Sequence, residues 1–201
     1  MKRVSFFVHD LRNNPIVRAV PLAQALAADF EVEILGFLHG DADTGVYAPY
    51  RDLFAYRTIH CSLDVTSVAA AAPRLARMAT GDVIYACKPL VTSLGPALLA
   101  SGFGRRKPLL LDAEDDEWVP MGKTWPEFIR RDVVKGWRHA SAWKYTRALH
   151  PFVRCARAVT VSPGCAAPAS LERTPVRQLG EQREYISSRC PSEDDPSSDG
   201  M

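Results

Sequence analysis

The segment LLLDAEDDEWVP, residues 109–120, gathers Asp112, Glu114, Asp115, Asp116 and Glu117 at the end of an apolar run. Like charges this close repel, so the cluster has to be solvated, matched by cations or kept for chemistry. At the carboxyl end of a strand, such groups stand where an open α/β sheet offers a ligand crevice. There Glu114 or Asp115 could hold a hydroxyl and help remove its proton, and Asp112 could steady the same ligand. The plainer alternative is that these carboxylates cap the next segment or pair with Arg130, Arg131 or Arg138, and for Asp116 and Glu117 that alternative is preferred.

Two further groups stand at strand ends. After the first apolar run, the loop HDLRNN brings Asn13, Asn14 and, one turn on, Arg18 to a helix start, where free N–H groups attract anions. Arg18 could bind a phosphate or sugar oxygen, or lie on a wet face; Asn14 is better read as a helix cap. Lys88 follows the run DVIYAC, where it could steady a charged ligand but more simply balances the acid cluster.

These placements require strands that alternate with helices. Val4 to Val8 is continuous, apolar and β-branched or aromatic, as expected of a strand buried on both faces. Asn14 and Pro15 open a helix carrying Ile16, Val20, Ala23 and Ala27 at helical spacing. Residues 31–38 form the next strand. A short strand is expected within Leu53 to Ile59, and a helix over Asp64 to Met78 that Pro73 breaks or kinks. Strands follow at 82–87 and 108–113, with a helix between them closed by Gly102 and Gly104. Trp125 to His150 reads as one long helix, and 156–162 as a last strand. The order predicts an α/β fold, doubly wound around a mainly parallel, Rossmann-like sheet, in a single domain of residues 1–164 with an irregular tail. From 165 to 201 the chain is rich in Pro, Ser, Gly and charge and reads as disordered, with at most a helix flickering around Val176 to Tyr185.

Composition narrows the function classes. The 201 residues are 47% hydrophobic and 24% charged with a formal net charge of +2, which suits a globular domain and gives no argument for nucleic acid. Five scattered cysteines form no C-x-x-C pair, so neither a zinc ribbon nor a disulfide framework is expected, and a cytoplasmic protein with reduced thiols is. The apolar run after Met1 stops at His9 and Asp10, too short for a signal peptide.

Four stretches, in this order and spacing, resemble the N-terminal, acceptor-side domain of GT-B glycosyltransferases of the family 4 type. NNPIVRAVPLAQALAADFEVEIL is similar to that family's first helix and second strand. GDVIYACKPLVTSLGPALLA resembles its strand and helix beside the acceptor cleft. KPLLLDAEDDEW is similar to its strand ending in an acidic pair, and ARAVTVSPG to the last strand of the domain.

The resemblance implies a retaining, nucleotide-sugar-dependent hexosyl transferase, with Glu114 and Asp115 at the catalytic position and Asp112, Asn13, Arg18 and Lys88 holding a sugar or glycolipid acceptor. It implies no metal, since the family does not need a carboxylate-bound ion and Asp112-Ala113-Glu114 is only a loose D-x-D. It implies a donor held by a second Rossmann domain through a Glu-x7-Glu pair, which the sequence lacks. The chain leaves the family pattern after Ser162, so it is expected to be truncated, inactive alone and without a cofactor of its own, unless the donor domain acts in trans. The basic face around Trp137, Trp143 and Tyr145 is read as solvated, with peripheral contact at the inner face of the membrane as the alternative. A non-catalytic binding module remains open. So does an unrelated nucleotide-binding protein, against which stands the missing G-x-G-x-x-G after the first strand.

Overall fold

The computed structural model describes residues 1–12, 15–40, 43, 45–113, 136, 138–161 and 176–178. Its strands are β1 (Arg3–Val8), β2 (Glu31–Leu38), β3 (Tyr56–His60), β4 (Val83–Cys87), β5 (Leu109–Ala113), β6 (Ala158–Val161) and β7 (Val176–Gln178). Its α-helices are α1 (Pro15–Leu26), α2 (Val65–Met78), α3 (Leu94–Ser101) and α4 (Trp143–Leu149), joined by 3-10 turns at Ala48–Tyr50 and His150–Cys155. The strands make one parallel sheet in the order β3-β2-β1-β4-β5-β6-β7.

Alternation along each strand divides the core in two. Phe6, Val8, Ile34, Leu38 and Tyr85 face α1, which lays Ile16, Ala19, Val20 and Ala23 against them. Phe6 stacks on Tyr85 with ring centroids 4.7 Å apart. Phe7, Leu35, Ile84, Leu109 and Leu111 point the other way, onto Leu75 of α2 and Leu94 and Leu98 of α3. Each such side chain contributes about 1.5–3 kcal/mol by leaving water. Helices therefore cover both faces, as expected of a doubly wound sheet. From β1 the chain winds outward through β2 to β3, then returns across the sheet to place β4 on the other edge of β1. This reversal opens the sheet's carboxyl edge between β1 and β4.

Three expectations are corrected. Pro73 does not break α2, which runs on to Met78. The long helix over Trp125 to His150 is interrupted: Gly136 has φ +79°, and the helix begins only at Trp143 after an extended Ala142. Between them the backbone is tied elsewhere, since Val65 N–H donates to the Arg138 carbonyl at 2.7 Å and Ala140 N–H to the Leu63 carbonyl at 2.7 Å. Residues 125–135 lie outside the described part. Val176–Gln178, where a flickering helix was expected, is a strand paired with β6. The rest of 165–201 lies outside the described residues. No helix among the described residues is long and apolar enough to cross a membrane.

The amino edge of the sheet is locked by a buried carboxylate. Glu33 on β2, 6% exposed, accepts hydrogen bonds from the Ser5 hydroxyl (2.5 Å), the Thr80 N–H (2.6 Å) and hydroxyl (3.0 Å) and the Gly81 N–H (3.2 Å). The Arg57 guanidinium lies 3.2 Å away. Burial pushes the Glu33 carboxyl up, but the bonds from Ser5 and Thr80 and the charge of Arg57 outweigh it and hold it below the usual value. Gly81 is required by the close approach: a Cβ there would sit 2.4 Å from Ser5 Oγ and 2.6 Å from Ser5 N. Gly81→Ala should cost about 1–3 kcal/mol. Because the folded value is lowered, Glu33 contributes fully above the ordinary carboxylate range, and the contribution is lost as pH falls through the lowered value. Urea unfolding should separate Glu33→Gln from wild type by roughly 2–3 kcal/mol at neutral pH. The two should converge in strong acid; an equal gap at every pH would remove the carboxylate from the argument.

Candidate functional site

The site is the carboxyl-edge crevice between β1 and β4. Its first wall is the loop after β1, fastened onto β2 by Leu11. That side chain is fully buried and packs over Gly36, where a Cβ would meet Leu11 Cγ at 2.7 Å. The Leu11 N–H donates to the Phe37 carbonyl at 3.0 Å, and its carbonyl accepts from Tyr47 N–H at 2.8 Å. Beside it Asp10, 5% exposed, accepts from Arg12 through Nε at 3.1 Å and Nη2 at 2.9 Å. The second wall is the turn after β4. Ser93 donates its hydroxyl to the Lys88 carbonyl at 2.6 Å, and Lys88 holds a left-handed φ of +79°. A non-glycine residue in that region costs roughly 1–3 kcal/mol, a strain that clusters at working sites. Across the crevice the His9 imidazole hydrogen-bonds the hydroxyl of fully buried Thr92, joining the two walls.

Under the first wall lies His39, 1% exposed. Its Nδ1 faces the Cys61 carbonyl at 3.0 Å and its Nε2 the His9 carbonyl at 3.3 Å. Burial pulls its pKa below the usual value, against the pull of both carbonyls and Asp10, so the ring is neutral at pH 7 and donates one N–H. The Cys61 sulfur is 3.7 Å from Nδ1, but burial pushes its thiol up to about 11. At that value the thiol keeps its proton at neutral pH.

On the α1 face, a polar chain crosses from helix to sheet. Asp112 on β5 is fully buried and accepts Arg18 Nε at 2.9 Å and Nη2 at 3.2 Å. The Thr160 hydroxyl of β6 donates to Asp112 Oδ1 at 2.8 Å, and the Tyr85 hydroxyl stands 3.2 Å from Thr160 Oγ1. Burial and the Asp112 charge drive the Tyr85 pKa far upward, so the phenol keeps its proton and donates it to Thr160. The Lys88 N–H donates to the Asp112 main-chain carbonyl at 2.9 Å, which connects this chain to the strained turn.

Of the residues singled out in the sequence, Arg18, Asp112 and Lys88 are thus brought together near the carboxyl edge. Both oxygens of Asp112 are held by the protein, whereas the Arg18 side chain keeps a quarter of its surface exposed. Asn13, Glu114 and Asp115 lie outside the described residues. His39, Tyr85, Thr92 and Thr160 were not foreseen. The only sequence signal among them is Thr92-Ser93, a pair of hydroxyl residues between a strand and an apolar helix. No cluster of three His, Cys, Asp or Glu residues suited to a metal ion occurs among the described residues. Compared with known protein families and with curated proteins, the sequence matches none.

The ion pair fixes a stability pattern. Removing one partner of a buried pair leaves an uncompensated charge, at a cost of about 3–5 kcal/mol, while replacing both by apolar residues is often neutral. Arg18→Met alone should approach the lower figure, because Arg18 is partly solvated. Arg18→Met with Asp112→Leu should recover most of the loss in urea unfolding. A double variant no more stable than the single one would mean that the charges themselves are needed to hold α1 on the sheet.

Proposed function

We propose that this sheet is the acceptor-side wall of a retaining hexosyl transferase of the GT-B type, which takes its sugar from a nucleotide-activated donor in the cytoplasm. The observation that carries the reading is the crevice at the β1/β4 reversal, built from a pinned loop and a strained turn. Open α/β sheets bind ligands at this point. A polyhydroxyl ligand would meet the partly exposed His9 and Arg18 side chains at this edge. Glu114 and Asp115, next along the chain from β5, would reach the reacting hydroxyl, orient it and help remove its proton. The carboxylates of 114–117 follow directly on β5 in the sequence, and such a run would repel a nucleotide diphosphate. Its phosphates have to be met by donors on an opposing Rossmann wall, where charge develops as the glycosidic bond breaks.

A dinucleotide-binding Rossmann protein is the second reading. The pinned loop speaks against it: where glycines would let a backbone approach a pyrophosphate, this loop carries His9, Asp10 and the buried Leu11.

On this reading the sheet binds acceptor, and transfer needs a second wall to hold the donor. Orientation of two substrates can contribute roughly 7–11 kcal/mol to lowering a barrier, and one wall cannot hold both. Calorimetry of the chain with hexoses, polyols and sugar phosphates should show weak, saturable binding that Lys88→Ala reduces. UDP- and GDP-sugars should give neither heat nor product. Micromolar binding of a nucleotide sugar or NAD, or transfer by the chain alone, would replace this reading with a nucleotide-binding one.

A further inference from the structure

At the amino edge of the sheet, far along the strands from the crevice, α3 ends in a turn that packs on the 3-10 turn before β6. Gly102, with φ +61°, closes α3, and its N–H bonds back to the Leu98 and Leu99 carbonyls. Gly104 follows with φ +73° and lies so close to the second turn that a Cβ would meet the Cys155 carbonyl oxygen at 2.2 Å. Between the glycines Phe103 is also left-handed, φ +55°, and its ring is 44% exposed. It meets Phe152, 37% exposed, at a centroid distance of 5.9 Å. Leu99, 44% exposed, stands one turn back on α3. Three large apolar side chains therefore protrude together from one corner. The left-handed Phe103 belongs to the turn that closes α3, where its N–H donates to the Leu98 carbonyl at 2.7 Å, and that turn leaves its side chain exposed.

The surroundings are basic. Arg105, Arg106 and Lys107 continue the first turn, and Arg154 and Arg157 flank Cys155 in the second. The Arg157 N–H donates to the Leu109 carbonyl at 2.7 Å, which runs the two basic segments side by side. None of these five cations has a carboxylate partner among the described residues. The sequence from Pro89 to Leu111 and from Arg138 to Val161 contains no Asp or Glu at all. An apolar wedge ringed by cations matches the chemistry of an anionic bilayer surface: rings enter the acyl boundary while guanidinium and ammonium groups meet headgroup phosphates. A protein partner would instead have to bring a concave apolar pocket ringed by acids.

We propose that Leu99, Phe103 and Phe152, with the surrounding Arg and Lys residues, form a docking surface for anionic membrane lipid. The surface is separate from the crevice, and the proposal is independent of the reading given above for that crevice. It also fixes an orientation. The strands run away from the docked corner, so the carboxyl-edge crevice opens toward water and takes its ligand from solution.

The full chain should co-sediment with phosphatidylcholine vesicles containing phosphatidylserine, in a salt-sensitive manner, and not with phosphatidylcholine alone. Each cation near an anionic surface contributes roughly fivefold in partitioning, so Arg105→Glu with Arg106→Glu should lower binding at least about twenty-fold. Phe103→Asn with Phe152→Ser should also lose it. Asn tolerates the left-handed backbone, so unchanged thermal unfolding is expected and a folding defect is ruled out as the cause. In Phe103→Trp, vesicles should shift the indole emission to the blue against that of an otherwise identical chain in buffer, and brominated lipid should quench the added signal. The proposal is overturned if wild type ignores anionic vesicles at low salt, if both double variants bind as wild type does, or if the same substitutions instead abolish self-association of the chain.

Discussion

Asp112 cannot sit in the interior alone, and much of the carboxyl edge is arranged around that constraint. A buried carboxylate stripped of its partners costs several kcal/mol, so its oxygens must be matched within the fold. Arg18 and Thr160 do this, and in doing so they tie α1 to β5 and β6 across β4. Tyr85 extends the match by donating to Thr160 while its ring stacks on Phe6. The first helix is therefore held by a directional polar contact as well as by the non-directional packing of Ile16, Val20 and Ala23. Packing alone would tolerate a slide along the sheet; a two-pronged guanidinium contact does not.

The two ends of a parallel sheet are chemically unlike, and this protein separates its roles accordingly. At the amino edge, Glu33 gathers the β2 strand, the turn into β4 and the rim of β1 into one hydrogen-bonded knot. At the carboxyl edge the loops are fixed by small, specific devices: Leu11 over Gly36, the left-handed Lys88 and the His9–Thr92 contact that joins them. The left-handed turns are split in the same way. Lys88 shapes the crevice, whereas Phe103 pushes an aromatic ring into solvent at the opposite end.

The strands and their order were legible because burial on both faces leaves a plain mark, as in the Val4 to Val8 run, and because α1 and α2 carry regular apolar stripes. Legibility failed where backbone geometry overrode side-chain pattern. The stretch before Trp143 keeps a helical rhythm, but Gly136 and the ties to Leu63 and Val65 divert it. Pro73 suggested a break, yet the rest of α2 packs well enough to carry it. Val176–Gln178 is too short and too polar to announce a strand; it exists because β6 presents an edge. Of the site, Asp112, Arg18 and Lys88 were visible as charged residues at element ends, but their mutual contacts were not. Arg18 and Asp112 are 94 positions apart, and only the winding of the sheet brings them together. Thr92, Thr160 and His39 carry ordinary residue types whose importance comes from burial alone.

The central place of β1 also has a meaning during synthesis. It is made before the other described strands and is one of the most apolar, yet its two neighbours arrive at different times. β2 can pair with it after some thirty residues, as its range of Glu31–Leu38 shows, but the opposite edge waits for Val83–Cys87. At about 5–20 residues per second, that interval is roughly 4–15 s, during which a hydrophobic strand edge has no partner from its own chain. α1 is complete within this time and can shield one face of β1, but not the waiting edge. The nascent protein is therefore exposed to wrong pairing at β1 until β4 emerges, and a chaperone that binds extended apolar segments would find its target there.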